Sequence, residues 1–143
     1  MFHVKHIMNK YYKILYKLAL KSYKRNEVPV GAIIIYNNKI IGKGYNNRQS
    51  KSNVCGHAEV NAIIDAEKHL NDWRLNDCII ITTLKPCNMC YEIIMASRIN
   101  KIYYILNQEK TSYKSNSIIK LDENNEFVEK INNIFNNFFK KIR

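Results

Sequence analysis

Two short motifs, thirty residues apart, contain the side chains of this sequence that could do chemistry. The first is His57-Ala58-Glu59, and the second is Pro86-Cys87-Asn88-Met89-Cys90. A neutral imidazole and two thiolates are ligands that Zn²⁺ prefers, and three protein ligands leave the fourth tetrahedral position for a water molecule. We therefore expect His57, Cys87 and Cys90 to hold one zinc ion per chain in a catalytic site.

Glu59 is a carboxylate that this ligand set does not use. It follows the histidine by two residues, which places it to reach the metal-bound water rather than the metal itself. A carboxylate in that position can accept and deliver protons while water is added to a substrate. We expect Glu59 to be the catalytic proton shuttle.

Other interpretations of these residues stay open at this point. A C-x-x-C pair in a cytosolic protein could be a redox dithiol, and an isolated histidine is more often a buried or surface group than a ligand. Cys55 and Cys78 are expected to be small structural residues, although Cys55 could provide a fourth ligand that closes the site. The two motifs together, each at a predicted helix start, favour the catalytic zinc site.

The predicted helix starts explain the spacing of the ligands. Pro86 fits the first turn of a helix, and Cys87 and Cys90 then lie on the same side of that helix. The positive end of the helix dipole favours the thiolate form, which is the form that binds metal. His57 lies where a polar loop, residues 46–56, meets an apolar pattern with helical spacing.

Composition places limits on the class of protein. The 143 residues fit one domain, residues 1–143, and 46% of them are apolar, which is typical of a globular core. We expect a cytoplasmic protein, because no apolar run reaches the roughly 18 residues of a membrane span and the first ten residues lack a signal-peptide core. The net charge of +11 indicates an anionic partner, of which nucleic acid is the commonest, although an A/T-rich coding sequence would also enrich lysine.

Hydrophobic periodicity predicts helices and strands that alternate along the chain. The predicted helices are 11–25, a second one that begins after Gly56, 87–97 and 123–142, and the predicted strands are 31–36, 39–45, 78–83 and 101–106. The apolar stripe of the last helix is Phe127, Ile131, Ile134, Phe135, Phe138 and Ile142, followed by a basic tip of Lys140, Lys141 and Arg143. Asn37-Asn38 predicts a two-residue hairpin, and residues 107–117 are predicted to form a loop.

A strand, a crossover helix and another strand imply parallel pairing, whereas the hairpin is antiparallel. The expected fold class is therefore α/β, with three α/β/α layers around a mixed central sheet. Both halves of the zinc site then lie at helix N-termini on the same edge of the sheet. Trp73 is expected at the core or its rim.

With these motifs in place, the chain resembles the bacterial tRNA adenosine deaminases of the cytidine deaminase-like superfamily over residues 11–117. The resemblance is carried by Glu27-Val28-Pro29-Val30-Gly31-Ala32, Gly44-Tyr45-Asn46, His57-Ala58-Glu59, Thr83-Leu84-Lys85-Pro86-Cys87-Asn88-Met89-Cys90 and Ser97-Arg98-Ile99. It implies a cytidine deaminase-like fold, a zinc cofactor, and a homodimer whose protomers together hold the tRNA anticodon loop. It also implies substrate contacts from Asn46, Val30, Pro86 and Gln108, with the Asn46 amide on the flipped base.

Three residues depart from the family pattern. Lys85 stands where the family usually has glutamate, and Gly56 stands where a small alanine commonly precedes the histidine. Gln108 replaces an aspartate that touches the substrate backbone in the family. We expect this last change to weaken the selection of RNA over DNA.

The expected reaction is hydrolytic deamination of adenosine to inosine at the wobble position of tRNA, by a zinc-activated hydroxide with Glu59 as proton shuttle. One alternative is a deaminase of free bases or nucleosides, of guanine, cytosine or cytidine type. The other is a non-catalytic, zinc-stabilised RNA-binding module, for which the basic surface would be sufficient. Glu59 argues against the last, because a structural zinc site has no use for an unligated carboxylate.

Overall fold

A computed structural model describes residues 5–49 and 51–141, with side chains described from Met8 onward. The helices are α1 (Lys5–Lys24), α2 (Ala58–Leu70), α3 (Asn88–Ala96) and α4 (Glu126–Lys141). The strands are β1 (Gly31–Tyr36), β2 (Lys39–Tyr45), β3 (Ile79–Leu84), β4 (Lys101–Leu106) and β5 (Ile118–Lys120). None of the helices within these ranges is long and apolar enough to cross a membrane.

The strands form one mixed sheet in the order β2-β1-β3-β4-β5. The β1–β2 and β1–β3 pairs are antiparallel, whereas the β3–β4 and β4–β5 pairs are parallel. Asn37 and Asn38 connect β1 to β2 with positive φ angles of 50° and 62°, as a two-residue hairpin requires. The predicted α/β class, the mixed sheet and the hairpin are confirmed.

Two hydrophobic cores lie on the opposite faces of this sheet. One core packs α2 and α3 against residues such as Ala32, Ile34 and Ile80, and the other packs α1 and α4 against residues such as Ile33 and Ile81. The neighbours Ile33 and Ile34 face different cores because successive side chains of a strand point to opposite faces. Helices therefore cover both faces, which gives the three predicted layers.

Several predicted boundaries were wrong. Helix α1 begins at Lys5 rather than at residue 11, because Met8 continues the buried stripe of Tyr11, Leu15 and Leu18 toward the N-terminus. Strand β5 was missed; it has only three residues, of which Ile118 is half-buried and the other two are exposed, so its sequence has little apolar pattern. The third strand is shifted by one residue from 78–83 to Ile79–Leu84.

The last two helices are shorter than predicted. Helix α4 begins at Glu126 instead of residue 123, and the predicted contributions of Ile142 and Arg143 lie outside the described residues. Helix α3 begins at Asn88, with Cys87 as its N-cap, so Pro86 precedes the helix instead of forming its first turn. Trp73 is not a core residue, because 49% of it is exposed.

Glycines in β2 bring α2 unusually close to the sheet. A β-carbon built on Gly44 would lie 2.2 Å from the carbonyl oxygen of Ala58 and 2.4 Å from the backbone nitrogen of Ala62. No side chain larger than hydrogen fits at that distance, so the glycine permits the contact. This approach determines where the first turn of α2, which carries Glu59, lies over the end of the sheet.

Candidate zinc and substrate site

The two motifs meet at the N-termini of α2 and α3. His57 is the N-cap of α2 and Cys87 is the N-cap of α3, both with extended backbone. Cys90 follows in the first turn of α3, where its N–H donates to the Sγ of Cys87 at 3.5 Å. The sequence prediction that both halves of the site lie at helix starts is confirmed.

The three predicted ligands are close enough to share one metal ion. The Nδ1 atom of His57 lies 3.7 Å from Sγ of Cys87 and 3.3 Å from Sγ of Cys90. Tetrahedral zinc with ordinary Zn–N and Zn–S bonds separates nitrogen and sulfur by about 3.5 Å. The donor set and its spacing therefore fit zinc, which His57 would hold through Nδ1.

Cys55 and Glu59 are not members of this cluster. Within the part of the chain that the structure describes, the atoms that could hold a metal together are those of His57, Cys87 and Cys90. Cys55, two residues before His57 in the chain, is a half-buried free thiol. The geometry thus gives three ligands and leaves Glu59 available for another role.

The protonation of the two thiols is coupled through their contact. The hydrogen bonds from Cys90 and from His57 lower the pKa of Cys87 to about 4, so this sulfur is a thiolate at neutral pH. The hydrogen bond to Cys87, together with burial, raises the pKa of Cys90. The hydrogen bond to Cys87 also raises the pKa of His57, although burial opposes that rise. Metal binding requires deprotonated ligands, so it would release protons from this cluster.

Glu59 is a buried carboxylate beside the ligands. It lies in the first turn of α2, and only 4% of it is exposed. Burial raises its pKa to about 7, because the charged form loses its hydration. A carboxyl group with a pKa near the working pH can both accept and donate a proton, which suits general acid–base catalysis.

Asn46 connects the substrate side of the site to α2. Its Oδ1 accepts a hydrogen bond from the N–H of Ala58 at 2.7 Å, and its backbone N–H donates to the carbonyl of Val30 at 3.2 Å. The side-chain oxygen is thus occupied by the helix start. The amide nitrogen of Asn46 is the group left to meet a ligand, and it can only donate.

A cavity of about 400 Å³ lies above these residues. Its size is in the range of small-molecule sites, roughly 300–1,000 Å³. His57, Cys87 and Glu59 lie in its wall, together with the predicted substrate residues Val30, Asn46 and Gln108. Pro86 was also predicted to contact substrate, but it does not line this cavity, and its carbonyl instead accepts a hydrogen bond from Tyr113 at 2.8 Å.

Several cavity residues were not predicted from the sequence as site residues. They are Asn26, Glu27, Val28, Arg48, Gln49, Leu84, Lys85, Phe138 and Phe139. Phe138 had been assigned only to the apolar stripe of the last helix, because nothing local indicates that α4 packs beside α1 at the cavity. Lys85 had been noted only as a departure from the family pattern. Its position next to the cysteines was the signal that could have identified it as a cavity residue.

Residues 107–117 are fastened to the start of α3. The backbone N–H of Ser112 donates to Oδ1 of Asn88 at 3.0 Å, and Gln108 donates from its side-chain amide to the carbonyl of Lys85. The Tyr113 ring stacks on Tyr91, with centroids 3.9 Å apart and planes inclined by 9°. The predicted loop is therefore attached to α3 and to the residue after β3, and Gln108 is its contribution to the cavity wall.

Known proteins are similar to this chain across the same region. Residues 5–106, which contain both motifs, match the cytidine and deoxycytidylate deaminase zinc-binding region. A tRNA-specific adenosine deaminase of Buchnera aphidicola subsp. Schizaphis graminum is 32% identical over 140 residues, which cover 92% of this chain and 93% of that protein. One of Rickettsia bellii is 43% identical over 90 residues, and that match spans 62% of each chain. A solved structure described in work on A-to-I editing by tRNA:A34 deaminases at the wobble position of transfer RNA has a TM-score of 0.70 and 25% identity, over 81% of this chain and 97% of that one.

Proposed function

The chain belongs to the cytidine and deoxycytidylate deaminase zinc-binding family, and we propose that within this family it deaminates adenosine to inosine at the wobble position of tRNA. The observation that carries the enzymatic part is the buried Glu59 carboxylate, which shares a cavity wall with His57 and Cys87, two of the three clustered zinc ligands. The choice of tRNA adenosine is supported by a relative of that activity that matches nearly the whole chain.

The chemistry divides between the metal and Glu59. A zinc ion bound by these residues would lower the pKa of water from 15.7 to about 7. Glu59 accepts a proton from the attacking water and delivers it to N1 of the purine as the bond to C6 forms. The Glu59 carboxylate then takes the remaining proton from the new hydroxyl group on C6 and delivers it to the exocyclic amine, which departs as ammonia and leaves the C6 carbonyl of inosine. Its burial keeps bulk water from competing for these transfers.

The other cavity residues orient the base. Asn46 has its oxygen fixed by the α2 start, so its amide nitrogen can donate to an acceptor on the base edge. Val30 and Leu84 provide apolar contact in the same wall. A base must leave its stack to reach this cavity, and an anticodon loop allows that at low cost because it is single-stranded.

We further propose that the substrate is held by a homodimer and that the tRNA anticodon stem-loop is the part recognised. The net charge of +11 supports binding to a polyanion. The resemblance of residues 11–117 to dimeric deaminases supports the dimer. A sedimentation measurement on the purified chain, with and without an anticodon stem-loop, tests both statements.

The decisive experiment is detection of inosine. Purified zinc-loaded protein is incubated with transcribed tRNA, with the same tRNA carrying guanosine at the wobble position, and with free adenosine, guanine, cytosine and cytidine. Inosine at the wobble adenosine, with little turnover of the free compounds, is the expected result. Turnover of a free base or nucleoside alone would identify a small-molecule deaminase, and tight tRNA binding without turnover of any substrate would identify an RNA-binding module.

A further inference from the structure

Two cations line the substrate cavity from different segments of the chain. Arg48 belongs to the connection between β2 and α2 and is exposed, whereas Lys85 directly follows β3 and is half-buried. Both share this wall with His57 and Glu59. The cavity is thus flanked by two positive groups in addition to its reacting groups.

These two cations are not neutralised by carboxylates. In the described ranges, the ion pairs are Arg74 with Asp72 and Lys120 with Asp122. The two carboxylates that line the cavity, Glu27 and Glu59, are both buried. Oε1 of Glu27 already accepts a hydrogen bond from the backbone N–H of Gln49 at 3.1 Å. The accessible charge around the cavity is therefore positive.

Lys85 is held in position by its neighbours. Its backbone N–H donates to the carbonyl of Leu106 at 2.8 Å, and its own carbonyl accepts from the Gln108 amide. Its ammonium group lies 5.4 Å from the centroid of the Tyr113 ring, which is in turn stacked on Tyr91. An ammonium over an aromatic face keeps its charge. A side chain that is already positioned loses less conformational freedom when it binds an anion.

Arg48 has a similarly defined backbone. Its carbonyl accepts a hydrogen bond from the N–H of Asn53 at 3.0 Å, and a β-carbon added to Gly56 would lie 2.7 Å from the Cα of Arg48. The connection therefore folds tightly back on itself just before His57. Arg48 lines the same cavity as His57 and Cys87. The arginine guanidinium offers a planar set of donors that suits phosphate oxygens.

We propose that Arg48 and Lys85 bind the two phosphodiesters that flank the target nucleotide, an inference that rests on the proposed action on RNA. A nucleotide within a strand carries one phosphate on each side of its ribose. When its base enters the cavity, both phosphates stay at the mouth, where the two cations approach from different segments. The pair would thereby favour a nucleotide in a strand over a free base or nucleoside, which has no phosphate.

Binding at several salt concentrations tests this assignment. A fluorescent anticodon stem-loop RNA is titrated with zinc-loaded Glu59→Ala protein and with that protein carrying Lys85→Gln, Arg48→Gln or Lys85→Arg. Each neutral variant should make the slope of log K against log salt shallower by about 0.7, the value for one phosphate contact on a single strand. Lys85→Arg should keep the original slope, since it keeps the charge.

Lys101→Gln is the matched control, because it removes the same charge at the opposite end of the β3–β4 pair. Ile79 pairs with Lys101, whereas Leu84 pairs with Leu106 next to the cavity. This variant should retain the original slope. An equal loss of slope in Lys101→Gln would show that general charge attraction explains the effect, and an unchanged slope in Lys85→Gln or Arg48→Gln would overturn the assignment of that residue.

Neutral methylphosphonate linkages identify the phosphates involved. One linkage is placed on the 5′ side or on the 3′ side of the target nucleotide, and the affinity loss is compared between proteins as a double-mutant cycle. In Lys85→Gln, neutralising one of the two linkages should cause no further loss of affinity. In Arg48→Gln, neutralising the other linkage should cause no further loss. Full losses from both linkages in both variants would overturn the proposal.

The test separates this inference from the proposed function. Inosine formation by the unmodified protein on tRNA is measured in parallel, and its absence would refute the proposed function whatever the salt slopes are. Inosine formation together with unchanged slopes would refute only the roles of Arg48 and Lys85. In the active protein, loss of a phosphate contact should raise KM and leave kcat nearly unchanged, because such a contact is made equally in the ground and transition states.

Discussion

The side-chain amide of Gln108 donates a hydrogen bond to the backbone carbonyl of Lys85. This contact joins the loop after β4 to the link between β3 and α3, next to the zinc ligand Cys87. Both residues line the substrate cavity, so the bond also connects two parts of its wall. Glutamine can make this bond because it has an N–H donor, whereas a carboxylate at the same place could only accept.

Gln108→Glu should loosen residues 107–117 while keeping the shape of the side chain. The carboxylate cannot donate to the Lys85 carbonyl and would face its oxygen, so the hydrogen bond is replaced by repulsion. We expect faster amide hydrogen exchange within residues 107–117 and little change in α2. Glu109→Gln, at the exposed neighbouring position, is the control and should exchange like the original protein. Equal exchange in all three proteins would show that the Gln108 bond does not hold the loop.

Cys87→Ala should lose most of its zinc, because it removes one of three protein ligands and the thiolate with the lowest pKa in the cluster. Metal content is measured on purified protein by elemental analysis. Cys55→Ala is the control for a thiol beside the site that is not a member of the cluster, and it should keep one zinc per chain. Loss of zinc from the Cys55 variant instead would restore it as a ligand.

Glu59→Ala should keep its zinc and its fold but lose the proton transfers. General acid–base groups typically contribute about 100- to 10,000-fold to the rate, so kcat on the preferred substrate should fall within that range. Glu67→Ala, a half-buried glutamate near the other end of the same helix, should keep the original rate. A Glu59 variant that is pure, folded and free of zinc would mean that this carboxylate is a ligand or a support of the ligands.

Gly44→Ala should reduce both stability and zinc retention. Its new β-carbon would lie 2.2 Å from the carbonyl oxygen of Ala58, so α2 must move away from the sheet and carry His57 and Glu59 with it. Overpacking of this kind costs about 1–3 kcal/mol, which a denaturant titration of the zinc-loaded protein would measure. Lys43→Ala is the control, since it truncates an exposed side chain on the same strand. An unchanged free energy of unfolding in Gly44→Ala would mean that α2 can move away from the sheet without loss of stability.

The zinc ligands and most of the fold could be predicted from the sequence because their signals are local. The hairpin prediction depends only on the two turn residues Asn37 and Asn38. The prediction of paired cysteine ligands depends only on the C-x-x-C spacing at a helix start. Helix α1 was predicted from Tyr11 onward, but its beginning was not, because Lys5 to Lys10 is too polar and too close to the chain end to show a pattern.

The rest of the cavity depends on contacts between distant segments. Phe138 and Phe139 reach it only because α4 packs beside α1, and nothing in residues 126–141 alone indicates that neighbour. The internal hydrogen bond of Gln108 was also hidden, since the sequence shows the residue type but not the carbonyl that it meets. Arg48 looked like an ordinary loop residue, because its place beside His57 follows from the tight turn at Gly56.

The preference between RNA and DNA provides a last prediction at Gln108. Gln108 lines the cavity, and its neutral side chain does not repel a phosphate. Its N–H is engaged by the carbonyl of Lys85, so the group that it leaves for the substrate is the amide oxygen. This oxygen does not require a 2′-hydroxyl as its partner. The 2′-hydroxyl is the group by which a protein distinguishes RNA from DNA at a given site. We therefore expect detectable deamination of adenine in a single-stranded DNA copy of the anticodon loop, and a lower ratio of DNA to RNA turnover in Gln108→Asp.

Gln108→Asn is the matched control, because asparagine and aspartate have the same length and differ in charge. Turnover of both substrates is measured at one fixed salt concentration, and the ratio should fall for the aspartate variant only. If it falls equally in both variants, the cause is the shorter side chain and the loosened loop, and the charge argument is wrong.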